Sequence, residues 1–294
     1  MNHFPVIGRA MALAALVVLA GCDDGGVGAA SDQAERAAKS GDLAAARTAA
    51  DRAVELAEKK YGAGHPKTAT ALTLAGETYL AAGDYAGAEG VFVRALAIRE
   101  REFRANHALV ATSLNNLGLV YRLTGRAAEA EPLIRRAIAI DEGAPKPPND
   151  HLSVGYNNLA EVYRALERYA EAEPMYRRAL DYAERAHGRD HPGTGGVANN
   201  LALLYRAQGR LDAAEPLFKR ALAIDEKALG PDHPDVAVGL YNLAALYRAQ
   251  GRADEARSLL ERGLAILTPR LAADHPLLRA VRAQLDDAEA PPAK

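Results

Sequence analysis

The sequence predicts an all-α protein made of stacked antiparallel helix pairs. Three columns of residues predict it. Tyr79, Tyr121, Tyr163, Tyr205 and Tyr247 return every 42 residues without slippage. Gly41, Gly83, Gly125, Gly209 and Gly251 keep the same spacing, with Glu167 in the place of one Gly, and Ala46, Ala88, Ala130, Ala172, Ala214 and Ala256 keep it too. A fixed period of roughly 20–50 residues is the signature of a stacked-repeat architecture. Each unit reads as two apolar-periodic runs separated by the Gly, the residue that ends a helix at least cost because it accepts positive φ. Neither helix alone hides its apolar stripe, so neighbouring units must stack to bury it.

Five full units follow from this register. Their first helices are expected near Pro66–Ala82, Ala108–Thr124, Leu152–Leu166, Pro192–Gln208 and Pro234–Gln250. The second helices are expected near Tyr85–Glu102, Ala127–Glu142, Tyr169–His187, Leu211–Leu229 and Ala253–Arg270. Ser31 to Lys60 is a degenerate unit, with Gly41, Ala46 and Ala53 in phase and Ala37 in place of the Tyr. Terminal repeats are atypical because one face meets water. A lone helix from about Pro276 to Glu289 should cap the last unit, and residues 291–294 form a frayed tail.

The motif Ala198-Asn199-Asn200-Leu201-Ala202-Leu203-Leu204-Tyr205-Arg206-Ala207-Gln208-Gly209-Arg210, followed by Glu215-Pro216 and by His233-Pro234, resembles the tetratricopeptide repeat. The 42-residue period resembles its kinesin light chain variety rather than the usual ~34-residue unit. The resemblance covers roughly residues 32–290, without the family's Trp; Leu114, Tyr156, Ala198 and Leu240 stand in that column. It implies a right-handed superhelical solenoid whose first helices line a concave face that holds extended peptides.

The opening segment reads as an export signal. Arg9 supplies a positive n-region and Ala10 to Ala20 an apolar run too short to span a bilayer. Leu19-Ala20-Gly21-Cys22 resembles the bacterial lipoprotein cleavage box, which implies removal of residues 1–21 and acylation of the Cys22 thiol, with palmitate among the chains. Two or more acyl chains suffice for stable anchoring where one is marginal. Cys22 is the single Cys of the chain, so export does not serve disulfides. Residues 22–31 are expected to be a Gly-rich tether. These features imply a bacterial cell envelope protein facing the periplasm. Asp23-Asp24 after the Cys tilts the expectation toward the inner membrane, as in enteric lipoproteins.

His65, His107, His151, His191, His233 and His275 precede or open helices, four of them followed by Pro. Neighbouring copies would lie on the order of 10 Å apart by helix-packing distances, and Zn ligands sit about 2 Å from the ion, so two copies cannot share a metal. Local capping is the expected role, with Pro at the first helical position, where its missing N–H costs nothing. Pro132, Pro174 and Pro216 fall early in second helices and remove a hydrogen bond if they lie beyond the first turn. The Ala144–Asp150 insert is not expected to be helical.

No catalytic site, metal or cofactor is expected. The chain carries no Gly-rich loop ending in Lys-Ser or Lys-Thr, no paired-His metalloprotease helix and no Gly-x-Ser-x-Gly elbow. Gly193-Thr194-Gly195-Gly196 precedes a helix as phosphate loops do, but the other copies lack the glycines, and it reads as a loosened helix start. A net charge of −2 does not favour nucleic acid.

Helical phase places the candidate binding residues. With Asn115 at zero and about 100° per residue, Asn116, Leu119, Arg122 and Leu123 fall on one arc and Leu114, Leu117, Gly118 and Tyr121 on the opposite one. The first arc is expected to face a groove. Stacked, it yields a ladder of Asn116, Asn158, Asn200 and Asn242, one of Arg122, Arg164, Arg206 and Arg248, and a partial one of Asn115, Asn157 and Asn199. Asn matches a peptide backbone group, and Arg offers a planar fork for carboxylates. The expected partner is therefore an extended, acidic protein segment, held through the Arg by its acidic side chains or by a C-terminus. The alternative for the same residues is a solvated face with structural bonds between neighbouring helices. Two functional readings result: a lipid-anchored interaction scaffold, or a pilotin-like structural assembly factor for a secretion or pilus complex.

Overall fold

The computed structural model describes residues 25–289, and among them every regular element is a helix. Residues 1–21, Cys22 and residues 291–294, on which the export, acylation and tail expectations rest, lie outside the described residues. The chain divides into two compact units, residues 25–167 and residues 168–289.

The unit of residues 25–167 contains α1 (Val27–Lys39), α2 (Leu43–Tyr61), α3 (Pro66–Ala81), α4 (Tyr85–Glu102), α5 (Ala108–Leu123), α6 (Ala127–Glu142) and α7 (Asn149–Ala165). Two boundaries differ from expectation. Helix α1 begins inside the stretch expected to be tether, because Val27 is fully buried and packs with Ala57 and Ala71. Helix α7 begins at Asn149, so the last two residues of the insert are helical. His151 is thus the third residue of that helix and not a cap; its Nδ1 lies 3.8 Å from Asp141 Oδ1.

The unit of residues 168–289 contains α8 (Tyr169–His187), α9 (Pro192–Ala207), α10 (Leu211–Leu229), α11 (Pro234–Ala249), α12 (Ala253–Leu267) and α13 (Pro276–Glu289). Helix α13 packs on α12 and buries Leu278 and Val281, closing the last repeat.

The remaining five His do cap. Nδ1 of His65, His107, His191, His233 and His275 accepts the backbone N–H two residues on, at 3.1–3.2 Å, satisfying one of the orphan donors of a helix start. At the turn inside each pair, Gly83, Gly125, Gly209 and Gly251 adopt φ between 75° and 80° or close to it (72° at Gly209). Glu167 fills the same left-handed position at φ 58°, a conformation that costs a non-Gly residue about 1–2 kcal/mol. Pro132, Pro174 and Pro216 are each the sixth residue of α6, α8 and α10, beyond the first turn, so each helix lacks one internal hydrogen bond.

Within a pair, small meets large. Phe92, Ile134, Tyr176, Phe218 and Leu260 of the second helices are at most 2% exposed. The corresponding first-helix column is Gly76, Gly118, Ala160, Ala202 and Ala244. A Cβ on Gly118 would lie 2.5 Å from Ile134 Cγ1. Gly118→Ala should therefore lower the thermal midpoint by circular dichroism: the overlap costs about 1–3 kcal/mol against about 1 kcal/mol gained in helix propensity. Adding Ile134→Ala should recover part of that loss relative to the sum of the two single changes.

Candidate interaction face on the first helices

Three polar ladders fix the face by locking consecutive repeats together. The first joins the Tyr column to the preceding second helix. In the unit of residues 168–289, Tyr205 Oη donates to Glu173 Oε1 (3.1 Å) and Tyr247 Oη to Glu215 Oε1 (3.2 Å). The Arg after the turn Gly closes each knot: Arg210 donates to Glu173 (2.6 Å) and Arg252 to Glu215 (2.9 Å), with the guanidinium 4.2 and 3.7 Å above the Tyr ring. In the unit of residues 25–167, Arg126 donates to Glu89 (2.8 and 3.0 Å) and covers Tyr121 at 3.9 Å, and Tyr163 donates to Glu131 (3.2 Å). The hydroxyls of Tyr163, Tyr205 and Tyr247 thus reach the preceding repeat, while the rings of Tyr121, Tyr205 and Tyr247 stay against the Arg that opens their own partner helix, the side on which helical phase places them.

The second ladder joins second helices. Arg136 pairs with Glu100 (2.6 Å), Arg220 with Glu184 (2.7 Å) and Arg262 with Glu226 (2.5 Å), each 36 residues apart, and Arg94 pairs with Glu58. The third joins first helices through the Asn columns. Asn158 Nδ2 donates to Asn115 Oδ1, and Asn242 Nδ2 to Asn199 Oδ1, both at 3.1 Å. The two expected Asn ladders are therefore cross-linked, the second Asn of one repeat bonding the first Asn of the repeat before. Asn158, Asn199 and Asn242 are only 6–8% exposed. Asn115, Asn116, Asn157 and Asn200 are half-buried. The Asn116 side-chain nitrogen is buried and lacks a partner.

The Arg column is half-buried throughout, and its members differ in their partners. Arg164 grips Glu161 on its own helix with two bonds (3.2 and 2.8 Å), and Arg122 approaches the same carboxylate at 3.7 Å. Arg248 also has an interaction partner. Arg206 has no carboxylate within ion-pair distance among the described residues; burial lowers its pKa, with Tyr241 opposing. Sequence reading missed Glu161, although its place 39 residues after Arg122, on the open arc, was available. It also missed Glu77, whose carboxyl burial pushes up to about 7, with Arg99 opposing and Glu35 adding. Arg99 itself is 3% exposed and donates to Ser113 Oγ (2.7 Å) and the Leu109 carbonyl (3.3 Å).

The glycines at 193, 195 and 196 lie inside α9, where Thr194 Oγ1 donates to the Gly188 carbonyl (2.8 Å) and a Cβ on Gly195 would sit 3.2 Å from Ile224 Cγ2. Gly195 thus allows α9 and α10 to approach closely.

A family model described as "Tetratricopeptide repeat" matches residues 29–101, 83–143, 152–227 and 194–268. The chain belongs to the tetratricopeptide repeat family. Its repeats are similar to the solved kinesin light chain TPR-like repeats of Podosopora anserina, at 25% identity and TM-score 0.58 over 70% of this chain and 97% of that one. BtubC (BKLC) from P. vanneervenii is similar at 23% identity and TM-score 0.61, covering 93% and 96%. PilW, titled a type IV pilus biogenesis factor, is similar at 20% identity and TM-score 0.60, covering 87% and 98%. No curated protein sequence matches the chain. Tetratricopeptide repeats are protein-interaction modules, and the partner class of this chain is protein.

Glu215 makes the knots testable. Lys219 chiefly, with Arg252 and Gln250, holds its carboxyl down at about 2 against the opposing effect of burial. A depressed folded pKa stabilises the protein above the unfolded value of about 4.5, and that contribution is lost as pH falls toward about 2. Denaturant titrations should show the wild type losing stability across that window, and Glu215→Gln losing measurably less.

Proposed function

We propose that this protein is a non-enzymatic, lipid-anchored interaction scaffold of the bacterial envelope. Its first helices receive an extended, acidic segment of a partner protein. The observation that carries the reading is the half-buried row of Asn and Arg on those helices, held in register by bonds made at its buried edge. Within each compact unit the half-buried Asn and Arg of the first helices, Asn115 and Arg122 in residues 25–167 and Asn200 and Arg206 in residues 168–289, present amide and guanidinium groups to a ligand strand. Such a strand advances about 3.3 Å per residue, so helices on the order of 10 Å apart meet it once every three residues. Cys22, within the lipoprotein-like box, would hold the scaffold at the membrane through acyl chains, facing the periplasm, with the inner membrane favoured by Asp23-Asp24.

A second reading is a structural assembly factor, pilotin-like, for a secretion or pilus complex. The burial of Asn158, Asn199 and Asn242 supports it, because the Asn158 and Asn242 amides are spent on bonds within the repeat stack and are not turned to a ligand strand.

Photo-crosslinkers at exposed Ala207 and Ala249 in the full-length protein should separate the two. Crosslinks confined to short unstructured segments support the scaffold; crosslinks spread over one folded subunit support the assembly factor. For the anchor, wild type should incorporate labelled palmitate and fractionate with membranes, whereas Cys22→Ser should do neither. Membrane retention of the unlabelled variant would remove the lipid from the account.

A further inference from the structure

The Arg column is evenly spaced in sequence but unevenly compensated in space. Arg122 approaches a carboxylate 39 residues on, at Glu161, which Arg164 also grips. Counting the same 39 residues from Arg206 reaches Ala245, and the position three residues before Arg206 is Leu203. Both carboxylate positions that serve the earlier arginines are therefore apolar around Arg206. Its guanidinium is half-buried, and no carboxylate pairs with it among the described residues. Half-burying a cation without a counter-ion is unfavourable, because desolvation is not offset by attraction. Ala207, next in sequence, and Ala249, its counterpart one repeat on, are exposed, and Ala245 is half-buried, so small side chains at these positions suit a chain that runs past.

We propose that Arg206, on the α9–α11 face, is the anchoring point for an acidic side chain of an extended partner segment. The inference rests on the scaffold reading above and names the position where that reading has its electrostatic grip. The ligand group is a side-chain Asp or Glu carboxylate within a passing chain. Tyr241 lies close enough to interact with Arg206 electrostatically, and the free-C-terminus peptide below tests the terminal carboxylate against the side-chain one. Arg provides the fork that binds such a carboxylate through two parallel N–H donors. Arg122 and Arg164 share the single carboxylate of Glu161, which offsets one of their two charges, whereas Arg206 has no carboxylate at either corresponding position.

The test supplies the missing carboxylate from within. Ala245→Glu places an acid where Glu161 stands relative to Arg122. Full-length protein in detergent is titrated with fluorescein-labelled peptides by anisotropy. The probes are an acetylated, amidated Asp-Ser repeat, its Asn-Ser counterpart, and the Asn-Ser peptide with a free C-terminus. Wild type should bind the Asp-Ser peptide at least tenfold tighter than either Asn-Ser peptide. Ala245→Glu and Arg206→Gln should each lose that preference while keeping the wild-type helical melting curve. Arg206→Gln serves as the arbiter if Ala245→Glu misfolds. An undiminished preference in both variants overturns the assignment, and so does a free C-terminus that binds as well as the Asp-Ser peptide. If Asp-Ser and Asn-Ser peptides bind equally and both crosslink to position 207, the scaffold face stands and the Arg206 assignment falls. If no peptide binds, both fall.

Discussion

A phenolic hydroxyl on one repeat bonded to a glutamate on the repeat before it is the contact that sets the period. Apolar burial supplies most of the stability: fully burying Phe92 or Phe218 contributes about 1.5–3 kcal/mol each, whereas an exposed ion pair contributes about 0.2–1 kcal/mol. Apolar contact is undirected, however, and small-against-large packing would tolerate one helix sliding over the next. The Tyr–Glu–Arg knot does not tolerate this. The Tyr must reach a carboxylate 32 residues back while an Arg 37 residues on from the same carboxylate covers its ring. One residue of slip would break both bonds, so the 42-residue spacing follows from geometry that two directional bonds impose.

The residue after the turn Gly shows what that lock costs. In the first two units it is Asp42 and Asp84, whose carboxylates cap the following helix by accepting from Ala45 (3.0 Å) and Gly87 (2.9 Å). At the later turns described above it is Arg126, Arg210 and Arg252, which make no side-chain cap. A cap contributes about 1 kcal/mol to its own helix; the Arg gives that up for a bond to the neighbouring repeat. The exchange ends with the acceptors. The Glu173–Glu215 column continues to Arg257, and the Glu184–Glu226 column to Thr268, so neither column carries a carboxylate at the repeat of α12. The stack closes instead on α13 through Leu278 and Val281.

Sequence periodicity carried the fold because the signals it uses are local. A Gly that accepts positive φ, a His-Pro that opens a helix and an apolar stripe can each be read within a dozen residues, and they place α3 to α13 with few shifts. Two departures share one cause. Gly-rich composition predicts a tether, but burial of Val27 with Ala57 and Ala71 is a tertiary contact no local window shows. The neighbourhood of His151 suggests a cap, though its count from His107 is 44 and not 42. The face was half legible. Phase correctly separated buried Leu114, Leu117 and Gly118 from half-buried Asn116, Leu119 and Arg122. It could not show that Asn158 and Asn242 turn inward to Asn115 and Asn199, because that depends on how closely adjacent first helices approach.

The arginines differ from the asparagines in what the fold gains from them. An Asn–Asn bond leaves both amides satisfied in a buried seam, so Asn158 and Asn242 are explained by architecture. Arg164 is likewise explained by Glu161. Arg206 is not: a Leu or Met there would fill the same half-buried space without the desolvation cost of an unpaired cation. In the proposed scaffold a group from outside the chain completes the pair, and the group whose charge and shape match a planar cationic fork is a carboxylate.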